Sequence, residues 1–194
     1  AYADLNTVAL DAVGQEMRRH ATRNLDIFIR DLKTAETFRK QLAAFAMAFS
    51  TERQAQEALL AGVQDQDLAV VAASLPSLGM LAIEDTPLDV FKSKLKSPTW
   101  YIRQAALYGL RFQLPEGDPK GLLTDVILLL SDPQMDVRNE AVIVLRRRKT
   151  IVTIDPLVRI SLKDRHPLVR QNAAITLGAL GKDAVDASPG LIEA

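Results

Sequence analysis

The chain has no cysteine among its 194 residues. That excludes a disulfide framework, thiolate zinc sites and a cysteine nucleophile, and it fits either redox compartment. Histidine is nearly absent too. His20 and His166 stand alone, outside any H-E-x-x-H or H-x-E…C-x-x-C pattern, so a His-based metal site has little to be built from. Aromatic residues make up 5% of the chain, with one tryptophan. No apolar run reaches half of the roughly 20 residues a membrane-spanning helix needs, so no membrane insertion is expected in this segment. Net charge is absent as well: 24 Lys and Arg balance 24 Asp and Glu. That argues against a uniformly basic nucleic-acid binder. There is no G-x-S-x-G, P-loop or G-x-G-x-x-G motif. No catalytic residue, metal or cofactor is therefore expected, and binding is favoured over catalysis. The chain begins AYADLN, without Met or a signal-like apolar stretch, and ends SPGLIEA, which reads as the first turn of a helix. Both ends predict a segment of something longer.

What is present is ordinary globular composition, 48% apolar and 25% charged, and an internal repeat. SPTWYIRQAALYGL (97–110), DPQMDVRNEAVIVL (132–145) and the stretch DRHPLVRQNAAITL from Asp164 align without gaps. They bring Ile102-Arg103, Val137-Arg138 and Val169-Arg170 into register. Weaker copies place Leu68-Ala69 and Phe38-Arg39 in the same slot. Each unit reads as two short helices. The first helices lie in 86–97, 120–132 and 154–164, the last with Asp155 as N-cap and Pro156 in the first turn. The second helix carries Val137, Ala141, Val144 and Leu145 at helical spacing. A small residue recurs four places after the aliphatic anchor, as Ala106, Ala141 and Ala173. Gly178 and Gly181 suit the end of the last second helix.

Residues 1–50 predict an irregular helical cap. Its apolar stripes are Leu5, Val8, Ala12 and Val13; Leu25, Phe28, Ile29 and Leu32; and Phe38, Leu42, Phe45 and Phe49. Four of the six phenylalanines lie here, which suits an aromatic core closing one end of an array. Repeats then fill 51–194, at about 51–85, 86–115, 119–150 and 153–182, with a further unit starting at 186–194. No segment alternates long enough to need a strand, so the fold class is all-α.

D-P-x-x-x-V-R-x-x-A at Asp132–Ala141, the related Asp164–Ala173 and the ending A-I-T-L-G-A-L-G resemble HEAT-like repeats, including the short bacterial type of phycobilisome-lyase-like proteins. The resemblance covers about residues 50–194. It implies an α-solenoid, a right-handed superhelix of helix pairs with the second helices on its concave surface. It also implies an Asp–Arg ladder between adjacent turns, here Asp132, Arg138, Asp164 and Arg170, with Arg103 in the copy that has Ser97 in the Asp slot. A ladder explains the recurrence better than a ligand site, which has no need to repeat.

Three surface features remain. Gln104, Asn139 and Gln171 form a row. Tyr108, Ile143 and Ile175 lie one turn on, and Arg111, Arg146 and Gly178 one turn further. Such a face could hold a helix or an extended peptide, or could be solvated. The run Arg146-Arg147-Arg148-Lys149 sits where ten basic groups face three acidic ones between Arg138 and Lys182. It suits an anionic partner, although cations also stabilise a helix C-terminus without any ligand. Trp100-Tyr101 is expected to pack between repeats, although a Trp beside a Tyr could also serve as a stacking platform or a binding hot spot. Asp65, Asp67, Glu84, Asp85 and Asp89 form a loose acidic zone without metal-loop spacing. The expected function is a non-enzymatic scaffold that binds a protein or peptide on the concave face. Nucleic-acid binding through Arg146–Lys149 is one alternative. Bilin-lyase-like activity is the other, and it rests on resemblance alone.

Overall fold

A computed structural model of the chain describes residues 2–81, 83, 85–113, 121–148, 151–181 and 184. Those residues contain helices and turns and no strand. They fall into two compact units, residues 1–90 and 91–194.

The first unit holds α1 (Tyr2–Arg23), α2 (Leu25–Thr34), α3 (Thr37–Met47), α4 (Arg53–Gly62) and α5 (Leu68–Met80). α2 packs on α3 and α4 on α5; the pairs stack through α3 against α5 and α2 against α4. Local chemistry starts these helices. The Glu36 carboxylate accepts from the Phe38 amide, and Asp67 accepts from the Ala69 amide at 2.9 Å. Each satisfies a first-turn donor that the helix itself leaves unpaired.

α3 does not bury its aromatic stripe. Phe38 is 62% exposed, Phe45 53% and Leu42 51%. Its buried face is Ala43, Ala44 and Met47, continued by the C-cap residue Ala48. The reason is steric: α3 is held between α2 and α5, and alanines allow both neighbours to approach where phenylalanines would hold them apart. The expected aromatic core at this end is therefore replaced by an alanine-rich one.

α4 and α5 approach closely at Gly62. A Cβ there would sit 2.4 Å from Ser74 Oγ and 3.3 Å from Leu32 Cδ2. Ser74 Oγ is itself buried and has no hydrogen-bond partner among the described residues. Gly62→Ala is expected to cost about 1–3 kcal/mol by overpacking. Ser74→Ala is expected to raise stability by up to about 1 kcal/mol, since it removes an unsatisfied hydroxyl. In the double variant the Gly62→Ala cost should shrink, because the nearest atom is gone. Urea unfolding of the four proteins measures this coupling, and strict additivity would contradict it.

The chain passes into the second unit within α6 (Leu88–Lys94). There follow α7 (Trp100–Gln113), α8 (Leu122–Leu128), α9 (Met135–Arg148), α10 (Ile154–Pro156) and α11 (Pro167–Leu180). α8 tightens into a 3₁₀ turn at Leu129–Ser131, and α10 continues as a π-helical stretch at Leu157–Ser161. The second helices run in file, α7 on α9 and α9 on α11, with α8 against α9 and the π stretch against α11. Each of α7, α9 and α11 has 14 residues. At the third position Ile102, Val137 and Val169 are buried, and four places on Ala106, Ala141 and Ala173 are fully enclosed.

The same slots in α5 hold Val70 and Ser74, both buried. The repeat alignment thus shifts by two in α5 and by one in α3, and the expected anchors Leu68 and Phe38 are exposed. Asp155 is not an N-cap. Helix α10 already includes it, and it pairs with Arg159 one turn on. Gly181, at φ 60°, ends α11 as expected, whereas Gly178 lies inside the helix.

Candidate interaction surface

The turn before each second helix is built the same way. A short polar side chain three residues ahead of the helix accepts from the main-chain amide two residues on. Asp65 takes the Asp67 amide at 2.8 Å, Ser97 the Thr99 amide at 3.2 Å, Asp132 the Gln134 amide at 2.9 Å and Asp164 the His166 amide at 2.8 Å. In the three Asp copies this Asx-type turn aims the carboxylate at the preceding repeat.

There it meets the fourth residue of the preceding second helix. Arg103 Nε and Nη2 donate to Asp132 at 2.7 and 2.8 Å. Arg138 Nε and Nη2 donate to Asp164 at 2.6 and 2.9 Å. Both pairs are forked, the geometry a planar guanidinium favours. The six-residue Asp-to-Arg spacing marks a different bond. Arg138 Nη1 donates to the Asp132 carbonyl and Arg170 Nη1 to the Asp164 carbonyl, both at 2.9 Å. One arginine therefore ties its own turn through a carbonyl and the next turn through a carboxylate.

Lys40 makes a corresponding rung in the first unit. It is the fourth residue of α3 and reaches Asp65 at 2.7 Å. The sequence alignment placed Arg39 in that slot, and Arg39 instead pairs with Asp31. Asp65 and Asp67, read as part of an acidic zone, are engaged: Asp67 accepts from Thr37 at 2.6 Å as well as capping α5. The Lys40 hydrogen bond, with help from the Asp67 amide, holds Asp65 below the usual carboxylate range. Among the described residues no group of His, Asp or Glu could hold a metal ion.

Two further contacts cross between second helices. Arg111 donates to the buried carboxylate of Glu140 through Nε and Nη2. Burial pushes Glu140 up, with the Arg111 hydrogen bond pulling against it. Asn139 accepts from Asn172 at 2.7 Å. Arg111 and Asn139, candidates for a binding face, thus also hold neighbouring helices together.

The rest of that face is open to different degrees. Gln171 and Ile175 are exposed, Tyr108 is at the margin of exposure, and Gln104, Ile143 and Arg146 are half-buried. Tyr108 stands beside the exposed Phe112 at 5.8 Å between ring centroids. The Arg111 guanidinium lies 4.6 Å from the Tyr108 ring, and that of Arg147 lies 5.7 Å from the Phe112 ring. The Arg148 side chain and Lys149 fall outside the described residues. Trp100 and Tyr101 are not sealed between repeats; they meet edge to face at 5.8 Å, each more than a third exposed.

A second open surface, invisible to the repeat pattern, lies in the first unit. Two adjoining pockets of about 370 and 400 Å³ share His20, Phe45 and Ala46, with Met17 and Phe49 at one end and Phe28 and Leu42 at the other. The signal for it was the α3 phenylalanine stripe, whose direction sequence alone does not give.

These features define an all-α helical repeat protein, with the fold class of an α-solenoid of helix pairs. Residues 123–194 match the family model for HEAT repeats, and the chain is HEAT-like in its repeats. Two solved structures share the fold. One is the crystal structure of an engineered protein from a structural genomics consortium, 18% identical over 86% of this chain and 85% of that one, with a TM-score of 0.67. The other is a designed armadillo repeat protein in complex with the peptide (KR)4, 15% identical over 89% of this chain and 93% of that one, with a TM-score of 0.63. No curated protein matches. Among the described residues no helix is long and apolar enough to cross a membrane.

Proposed function

We propose that the chain is a non-enzymatic interaction module that holds a protein or peptide segment along the outward face of α7, α9 and α11. The observation that carries this is the file of three equal helices, fixed at one end by the Arg–Asp rungs and presenting an amide row and then an apolar row, followed by Arg111 on α7 and Arg146 on α9. Rigid spacing suits an extended ligand, because the surface is ordered before binding and distributed weak contacts then add without an ordering cost. A repeat protein of the same fold is known with a peptide, (KR)4, which supports the kind of partner.

A random peptide library selected on the immobilised protein tests the proposal. Enriched peptides should lose at least about tenfold in affinity on Ile175→Asp, a charge placed in an apolar row. No enrichment, or peptides indifferent to this substitution and to Tyr108→Ala, would contradict it.

A further inference from the structure

Zero net charge conceals a division between the units. Residues 1–90 carry eight basic and 13 acidic side chains, and residues 91–194 carry 16 and 11. Within the second unit most described carboxylates are engaged. Asp132, Glu140 and Asp164 face Arg103, Arg111 and Arg138; Asp125 lies between Lys92 and Lys96; Asp155 faces Arg159. Asp136, near the opposite end of α9, is the one described carboxylate left without an ion pair. Arg146 and Arg147 have no carboxylate partner among the described residues. Lys94, Lys163, Arg165 and Arg170 are outside these ion pairs as well, but two adjacent arginines fall together only in the last turn of α9, where Arg147 lies over the exposed ring of Phe112 on α7, itself beside Tyr108.

We propose that this junction is the anchor for an acidic peptide: a segment in which an Asp or Glu is flanked by apolar residues. The proposal rests on the face assigned above. The carboxylate meets Arg146 and Arg147, and the apolar neighbour lies against the exposed parts of Tyr108 and Phe112. Charge complementarity selects the anion, since guanidinium and carboxylate pair in a forked geometry. The arrangement favours a peptide over a nucleic acid for two reasons. The cations do not continue along the file, because the places matching Arg146 and Arg147 are Arg111, already paired with Glu140, and Phe112 in α7, and Gly178 and Ala179 in α11. A phosphate backbone needs a continuing track. One face of each ring also carries a guanidinium, Arg111 on Tyr108 and Arg147 on Phe112, which leaves exposed ring area for an apolar side chain but not the two open, adjacent faces on which successive bases stack.

Fluorescence anisotropy tests this with three labelled probes: a short peptide alternating Glu and Leu, the same peptide with Lys in place of Glu, and a single-stranded oligonucleotide. The acidic peptide should bind at least about tenfold more tightly than the lysine peptide. Arg146→Gln with Arg147→Gln should weaken it about tenfold, and more mildly at high salt, where the charge contribution is screened. Arg159→Gln with Lys163→Gln, which removes the same two charges elsewhere, should leave it within twofold. Tyr108→Ala with Phe112→Ala should weaken it several-fold at either salt. Preference for the lysine peptide, or tighter and steeply salt-dependent binding of the oligonucleotide, would overturn the proposal. If the lysine peptide binds and is lost on Ile175→Asp, the face still holds peptides and only the acidic assignment falls. If neither peptide binds and the library enriches nothing, the interaction function falls with it.

Discussion

Replacing Arg138 by Met is expected to destabilise the second unit by about 3–5 kcal/mol, the range for removing one member of a buried ion pair. Arg138 and Asp164 have only 5% of their side-chain surface exposed. Without the guanidinium, Asp164 keeps a buried charge with the His166 amide as its main support. The Asp132 and Pro133 carbonyls lose a donor as well. Asp164→Asn in the same chain should recover more than half of the loss, because Asn is neutral and its side-chain oxygen can still accept from the His166 amide. The pair also has a pH signature. Burial pushes Asp164 up, but the bonds from Arg138 and the His166 amide outweigh it and hold the carboxyl below its ordinary value. Its contribution is thus present above the unfolded value of about 3.9 and is lost as pH falls through the lower folded value. Urea unfolding followed by circular dichroism at pH 7 measures the loss. A deficit under about 1 kcal/mol would mean that the rung is not structural.

Arg111→Met is the second large effect, about 3 kcal/mol at pH 7, and its pH dependence has the opposite sign. Glu140 is pushed up by burial even with Arg111 in place. A group whose folded pKa is raised contributes stability fully below its unfolded value, about 4.3, and loses it as pH rises through the folded value. Removing Arg111 raises the folded value further. The deficit of the variant against the parent should therefore be largest at pH 7 and shrink as pH falls toward 4.3. Glu140→Gln on top of Arg111→Met should remove most of the pH dependence. A deficit that stays constant between pH 7 and pH 5 would show that Glu140 is not buried as a charge.

The contrast between these two pairs shows what the sequence made legible. Arg138 and Asp164 belong to a recurring motif, so the alignment exposed them, together with the buried positions Val137, Ala141, Val144 and Leu145. Arg111 and Glu140 have no counterparts at the matching places in α11, which are Gly178 and Asn172. A contact made once leaves no period to find. Lys40 was hidden by Arg39, a better match to the motif one residue away. In α3 the larger apolar side chains marked a stripe, but packing between two helices chose the alanines beside it. Hydrophobic periodicity gives the stripes of a helix; neighbours on both sides decide which stripe is buried.

Hydrogen exchange with a library-selected peptide bound tests the interaction function most directly. The expected result is slowed exchange in α7, α9 and α11, strongest around Tyr108, Ile143 and Ile175, with α1 and α3 unchanged. Protection confined to α1 and α3, around the pockets that share His20 and Phe45, would contradict it by placing the ligand on the other unit.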